Sequence, residues 1–223
     1  MTEKASTREQ LLAAGERLIA LHGTGVSARR IAEEAGAANH SAVAYHFGTK
    51  LGLVLEIVRA HRRETDEIGR TMAERAAGSP DPREHLACVL LPTLIHLDRL
   101  GPPTYYSRFV IQALADPALE EQVLPELAGP HTGTAIRAVA RTTANIPPEV
   151  MQMRWRLVRP LLFRASAGFE LELAEGRNTH GTWENLGRFV LDAVGGLLLA
   201  PNTLPPGAIH VPDGFQNVAF PEP

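Results

Sequence analysis

Ser27-Ala28-Arg29-Arg30-Ile31-Ala32-Glu33-Glu34-Ala35-Gly36, followed after Ala37 and Ala38 by Asn39-His40-Ser41-Ala42-Val43-Ala44-Tyr45-His46-Phe47-Gly48-Thr49-Lys50, is the stretch whose reading decides the fold. Ser27 is placed to cap a short helix whose inner face is Ile31, Ala32 and Ala35. Gly36 breaks that helix, and Asn39 or Ser41 can cap another through Ala42, Val43 and Phe47. Upstream, Thr7-Arg8-Glu9-Gln10 has the spacing of a capping box. Leu11, Gly15, Leu18 and Ile19 then share one face of a longer helix that Gly23 stops. Two short helices around a glycine-bearing turn, braced by a longer one, form a helix-turn-helix, which sets its last helix in a DNA major groove.

The remainder reads as helices, and no alternation of period two persists, so no sheet is expected. Lys50 to about Ala77 carries Leu53, Ile57, Ile68 and Met72 on one side, with a basic Arg59–Arg63 patch. Gly78-Ser79-Pro80-Asp81-Pro82 breaks it. Arg83 to Leu100 turns Leu86, Leu90, Leu94 and Leu97 inward, and Pro92 predicts a kink because it has no N–H for the carbonyl one turn back. After Gly101-Pro102-Pro103 come Thr104 to Ala115, a short helix after Pro117, and another over about His131 to Ala144. Pro147-Pro148 opens a long helix through Leu173. Ala174 to Thr182 is a polar loop, and Trp183 to Ala200 is the last helix. From Pro201 the prolines are too dense for helix, so the tail 201–223 is expected to be extended or disordered.

With 223 residues the chain has room for a small head and one larger core. We expect a DNA-binding domain over 1–50, a ligand-binding and dimerisation domain over 51–200, and the tail. Residues 1–64 hold nine Lys/Arg against seven Asp/Glu, while 65–223 hold thirteen against eighteen. The net charge of −3 is thus a weakly positive head on an acidic body, which orients the head toward phosphate. No leader and no run of eighteen apolar residues point to export or a membrane. The single cysteine, Cys88, excludes an intramolecular disulfide framework, and a cytoplasmic protein is expected.

The order Leu11-Leu12-x-Ala14, Gly23, Ile31-Ala32-x-x-Ala35-Gly36, Tyr45-His46-Phe47 and Lys50 resembles the TetR family of bacterial transcriptional regulators, over roughly residues 7 to 58. Three departures stand out. One residue more separates Gly36 from Phe47 than in the commonest pattern, Ala44 stands where many members have an aromatic residue, and Leu51-Gly52 replaces an acidic start after the lysine. The resemblance implies an all-α protein with a helix-turn-helix head and a larger helical body. It also implies that Tyr45, His46 and Lys50 hold the DNA strand while Asn39, His40 and Ser41 face base edges. Chemistry agrees in kind, since Asn can pair bidentately with adenine and Ser or His can meet several edges. Ser27 and Thr49 cap helices whose free N–H groups suit phosphate, and Arg29 and Arg30 can clamp backbone. Plainer readings stand beside these: Asn39 as a cap, His46 as a packed histidine, Arg29 and Arg30 as a solvated face.

In the body, Tyr105, Phe109 and Gln112 share a helical face with Arg108 adjacent, a mixture that suits a small-molecule cavity. His96, Trp155 and Phe163 are candidates to complete it. The mix points to an unidentified, mostly hydrophobic effector with one polar or anionic end. Arg154, Arg156, Arg159 and Arg164 offer a further anion site, or a solvated or dimer-rim cluster. Aromatics at this spacing are also ordinary core. Near the end, Phe189, Val190, Val194, Leu197 and Leu198 form a broad apolar face, with Gly195-Gly196 permitting close approach, and Met153, Leu157, Leu161 and Leu162 form another. The resemblance implies that two such helices per subunit make a four-helix dimer interface, and paired heads also gain site length and avidity.

Nine histidines invite a search for catalysis. His22, His40, His46, His61, His85, His96, His131, His180 and His210 show no His-x-x-x-His or His-Glu-x-x-His spacing, and no Gly-x-Ser-x-Gly or phosphate-binding loop occurs. No catalytic residue, metal or cofactor is expected. The partners expected are double-stranded DNA, a small-molecule effector and a second copy of the chain, with no membrane. The leading reading is a repressor released from a pseudo-palindromic operator by its effector, and the alternative is a ligand-independent DNA-binding or structural dimer.

Overall fold

The computed structural model describes residues 5–142, 146–177, 181–205 and 207–209, and among these every regular element is helical. The head comprises α1 (Thr7–His22), α2 (Ala28–Glu34) and α3 (Ala42–Phe47). Then come α4 (Lys50–Arg75), α5 (Pro82–Leu100), α6 (Tyr106–Leu114), α7 (Pro117–Val123), a 3-10 turn at Leu124–Leu127, α8 (Pro130–Thr142), α9 (Pro148–Ala174) and α10 (Trp183–Leu199). The tail expectation falls largely on residues 206 and 210–223, outside the described residues, as do His180, His210 and part of the polar loop.

The capping box that starts α1 is Ser6 with Glu9, one residue before the expected Thr7–Gln10 pair. The Ser6 Oγ accepts the Glu9 N–H and the Glu9 carboxylate accepts the Ser6 N–H at 2.8 Å. A charged carboxylate is the stronger acceptor, so it takes the role over the amide of Gln10. That backbone hydrogen bond from Ser6 holds the Glu9 carboxyl below the usual range. Ser27 and Thr49 cap α2 and α4 as their sequence positions suggest. Ser41 precedes α3 without a side-chain cap, and Asn39 instead accepts the Ser41 N–H at 2.8 Å.

The head closes around Leu11, Leu18, Ile19, Ile31, Ala32 and Val43, all buried. Its packing does not end at Lys50: Leu53, Val54, Ile57 and Val58 of α4 are buried in the same cluster. A Cβ on Gly15 would lie 2.9 Å from the Leu53 side chain, so this glycine lets α1 and α4 approach closely. Gly52 is required differently, since a Cβ there would meet the Phe47 carbonyl oxygen at 2.1 Å. The Leu51-Gly52 departure is therefore a fit between α3 and the first turn of α4.

One continuous core joins head to body. At 26 residues α4 is about 39 Å long, enough to run from one into the other. Helix α5 packs on α4, α8 and α10, while α6 lies between α1 and α9. Pro92 sits inside α5 and Pro160 inside α9. Neither can donate to the carbonyl four residues earlier, Cys88 and Arg156 respectively. Cys88 is buried and donates to the Glu84 carbonyl, and burial pushes its thiol pKa up.

Candidate nucleic-acid interface and ligand cavity

The exposed face of the head gathers most of the DNA-binding candidates. Tyr45 projects from α3 with 84 % of its surface exposed, an unusual degree for an aromatic residue. His46, half-buried, meets the Tyr45 ring edge-on at 4.9 Å. Asn39, His40 and Ser41 are exposed immediately before α3. On α2, Arg29 is bound to Glu33 at 2.9 Å, and His40 approaches the same carboxylate at 3.6 Å. Glu33, unnoticed in the sequence, thus ties α2 to the loop that precedes α3. The Arg29 hydrogen bond holds its carboxyl below the usual range. A pair this solvated adds little to stability, so Arg29 can exchange it for a phosphate at little cost. Arg30 lies 3.5 Å from the His22 ring.

Lys50, expected at the DNA strand, makes its contacts within the head. Its Nζ donates to the Thr24 carbonyl at 2.5 Å and the Val26 carbonyl at 3.3 Å. An ammonium has three N–H donors, and two are taken up in clamping the α1–α2 turn onto the start of α4. Arg8 braces the other side, ion-paired to Glu56 with its guanidinium 5.3 Å from the Phe47 ring centre. The position of α3 is therefore set by contacts from both α1 and α4.

In the body a cavity of about 660 Å³ opens between α4, α5, α6, α8, α9 and the α7 region. Trp155 and Phe163 line it, together with Leu90, Ile111, Leu114, Leu127, Ile136 and Val158. Tyr105, Arg108, Phe109 and Gln112 lie outside that lining, because α6 presents its opposite face to the cavity, and His96 of α5 lies outside it too, turned to His61. Phe109 is fully buried between neighbouring helices. Gln112 points at the turn in the head, where a Cβ on Gly23 would lie 3.4 Å from its side-chain oxygen. Arg108 sits over the Tyr105 ring at 5.0 Å and pairs with buried Glu170 at 3.4 Å. Glu170 also accepts the Ser107 and Arg108 N–H groups, so a carboxylate from α9 closes the N-terminus of α6. Burial pushes the Glu170 carboxyl up, and those two N–H groups and Arg108 oppose the shift.

His96 belongs to a partly buried chain that the sequence did not suggest. Its Nε2 is 2.8 Å from His61 Nδ1 on α4, and His61 Nε2 is 2.9 Å from Glu16 on α1. The His61 ring stacks on Tyr106 at 3.8 Å. Burial, reinforced by His61 and Arg99, lowers the His96 pKa to about 4, so it is neutral at pH 7. Three helices from head and body meet in this chain.

Further polar contacts tie the cavity wall to the head. Thr24 donates to Asp116 at 2.9 Å, and Asp116 directly follows the cavity residue Ala115. Arg59 and Arg62 of α4 both bind Glu126, at 2.7 and 2.6 Å, between the cavity residues Leu124 and Leu127. Asp66, also on α4, accepts the His131 N–H at the start of α8. The Arg59–Arg63 patch is thus a connection rather than a free basic surface, at least through these two arginines.

The dimerisation candidates divide in two. Phe189, Leu157 and Met153 are exposed at 59, 56 and 40 %, and Leu161 and Leu197 are half-buried. Val190, Val194 and Leu198 face inward and are fully buried against the body. The glycines divide likewise: Gly195 faces Leu86 and Arg83 of α5, whereas a Cβ on Gly196 would meet nothing within 4 Å. Leu171 extends the exposed apolar strip of α9 at one end. Among the described residues no group of three or more His, Cys, Asp or Glu is placed to hold a metal ion, and no helix is long and apolar enough to cross a membrane.

Residues 11–57 match the family of bacterial regulatory proteins described as the tetR family. The match covers α1, α2, α3 and the part of α4 whose side chains complete the head core. No curated protein matches the chain.

Proposed function

We propose, from the match of residues 11–57 to the tetR family of bacterial regulatory proteins, that the chain is a ligand-responsive transcriptional repressor that binds a pseudo-palindromic operator as a homodimer in the cytoplasm. In this reading Asn39, His40 and Ser41 face base edges, and Tyr45, His46, Arg29 and Arg30 hold the strand, with the capped start of α2 at Ser27 beside it. Lys50 keeps the helices in register. The exposed strips of α9 and α10, centred on Leu157 and Phe189, pair with those of a second copy. Residues 1–50 with the first turns of α4 act as the DNA-binding domain, and the rest of the helical body serves ligand and dimer.

The observation that carries the regulatory part is the cavity wall itself. The segment 115–128 supplies Ala115, Glu120, Leu124, Leu127 and Ala128 to the cavity lining, and it is bonded to the head through Asp116–Thr24 and to α4 through Glu126–Arg59/Arg62. A small, mostly hydrophobic effector that displaces this wall acts on both the turn before α2 and the helix that orients α3. It shifts DNA affinity only by its unequal affinity for the two arrangements, typically by about 1–3 kcal/mol. Footprinting on the DNA beside the chain's own gene, with and without candidate effectors, tests this. Symmetric protection that an effector relieves is the expected result. Protection that no cavity-binding molecule alters would favour a ligand-independent DNA-binding dimer.

A further inference from the structure

The cavity walls are mostly aliphatic and aromatic, yet three arginines of α9 lie among them, and of these Arg159 is half-buried while the other two are exposed. Arg159 lies on α9 one turn from Trp155 and Phe163, lines the cavity, and makes no hydrogen bond or ion pair among the described residues. Its neighbours in sequence are accounted for in other ways. Arg154 donates to the Leu198, Ala200 and Pro201 carbonyls, closing the C-terminus of α10. Arg156 and Arg164 also line the cavity, but both are exposed. The two acidic residues of the lining do not neutralise Arg159. Asp66 is engaged with the first turn of α8, and Glu120 is exposed. Burial alone pushes the Arg159 guanidinium down from its usual pKa, with no carboxylate opposing the shift.

A partly desolvated charge without a counter-charge is costly, so an unpartnered guanidinium in a cavity wall favours the arrival of an anion. A guanidinium remains charged even when its pKa falls, and its planar fork matches a carboxylate through two parallel hydrogen bonds. We propose that the cavity takes an amphipathic organic acid, with its carboxylate on Arg159 and its apolar body along Leu90, Ile111, Leu114 and Phe163. This rests on the regulatory reading above for its consequence at DNA, but not for the binding itself. The anion anchor is thus on α9, not at the Arg108 that the sequence suggested, whose charge is spent on Glu170.

The test uses the full chain and three probes of one chain length: decanoate, decanol and decylamine. Isothermal titration should show decanoate binding at least ~10-fold more tightly than decanol, and decylamine more weakly still, as expected when one charge-assisted contact sets the difference. Arg159→Met should remove that preference, weakening decanoate at least ~10-fold and leaving decanol unchanged, without lowering the melting temperature. Arg159→Lys should recover part of it. The head-group series on the unmodified chain stands even if a variant folds poorly. Equal affinity for decanoate and decanol, no decanoate binding at all, or a decanoate affinity untouched by Arg159→Met would each overturn the proposal. DNA binding is read in parallel. Arg159-dependent decanoate binding that leaves DNA affinity unchanged supports the site and defeats the regulatory reading. A neutral molecule that releases DNA while decanoate shows no preference defeats the site and leaves the regulatory reading intact.

Discussion

Replacing Lys50 by methionine separates two roles that the same residue can play at a DNA-binding head. In the structure its ammonium holds the Thr24 and Val26 carbonyls, and Val26 is itself buried. Well-formed hydrogen bonds to a charged group contribute about 1.5–3 kcal/mol net. The contacts are only partly buried, one is long at 3.3 Å, and ordering a lysine side chain costs up to about 2 kcal/mol. The net loss expected for Lys50→Met is therefore about 1–2 kcal/mol. For a chain of 223 residues that lowers the melting temperature by roughly 2–8 °C. DNA affinity should fall for all sequences alike, since α3 is less firmly held. The decisive measurement is the dependence of that affinity on salt. A lysine bound to phosphate contributes about 0.9 to the slope of log K against log salt, whereas one bound to carbonyls contributes almost nothing. We expect the melting temperature to fall and the slope to stay constant. An unchanged melting temperature with a slope reduced by about one would refute the reasoning and return Lys50 to the phosphate.

The proposed dimer face can be probed by charge on its two kinds of residue. Phe189→Asp and Leu157→Asp, both at exposed positions, should yield folded monomers in sedimentation with weaker DNA binding, because an unpaired carboxylate is costly in an apolar interface. Val194→Asp, at a fully buried position, should instead lose its helical circular dichroism; folded dimers of Phe189→Asp and Leu157→Asp would move the interface elsewhere. Acid should weaken the fold through His96. The unfolded chain takes up that proton below about pH 6.5 and the folded chain only near pH 4, so stability falls as pH drops through this window. The slope approaches about 1.4 kcal/mol per pH unit, and the total reaches roughly 3 kcal/mol. Denaturant melts of His96→Gln, which keeps a side-chain N–H toward His61, should show a flatter profile between those limits; a profile as steep as the parent's would assign the acid sensitivity to other groups.

What could be read from the sequence follows from how local each signal is. Gly23, Ser27, Thr49 and the apolar spacing of α1 to α3 act within one or two turns, so the helices of the head are legible, although its first cap is Ser6 and its core runs on into α4. The body's helices were legible for the same reason, with Pro117, Pro147-Pro148 and Gly101 marking their ends. The rotation of a helix about its axis is not local. An aromatic or aliphatic residue at helical spacing satisfies a core, a cavity or an interface equally well, and only the neighbours decide which. Helix α6 illustrates this: Tyr105, Arg108, Phe109 and Gln112 looked like a cavity face. The Glu170 carboxylate, 62 residues from Arg108, instead fixes the start of α6, and α1 takes the face bearing Phe109 and Gln112. The same ambiguity divided α10, where Phe189 points out and Val190, one residue on, points in. The polar links were hidden for a related reason. Thr24–Asp116, Arg62–Glu126 and the Glu16–His61–His96 chain join residues between 35 and 92 positions apart. No spacing rule detects such pairs. Yet they join the cavity wall and the body to the head, so the residues that would make this protein responsive are the ones its local sequence conceals.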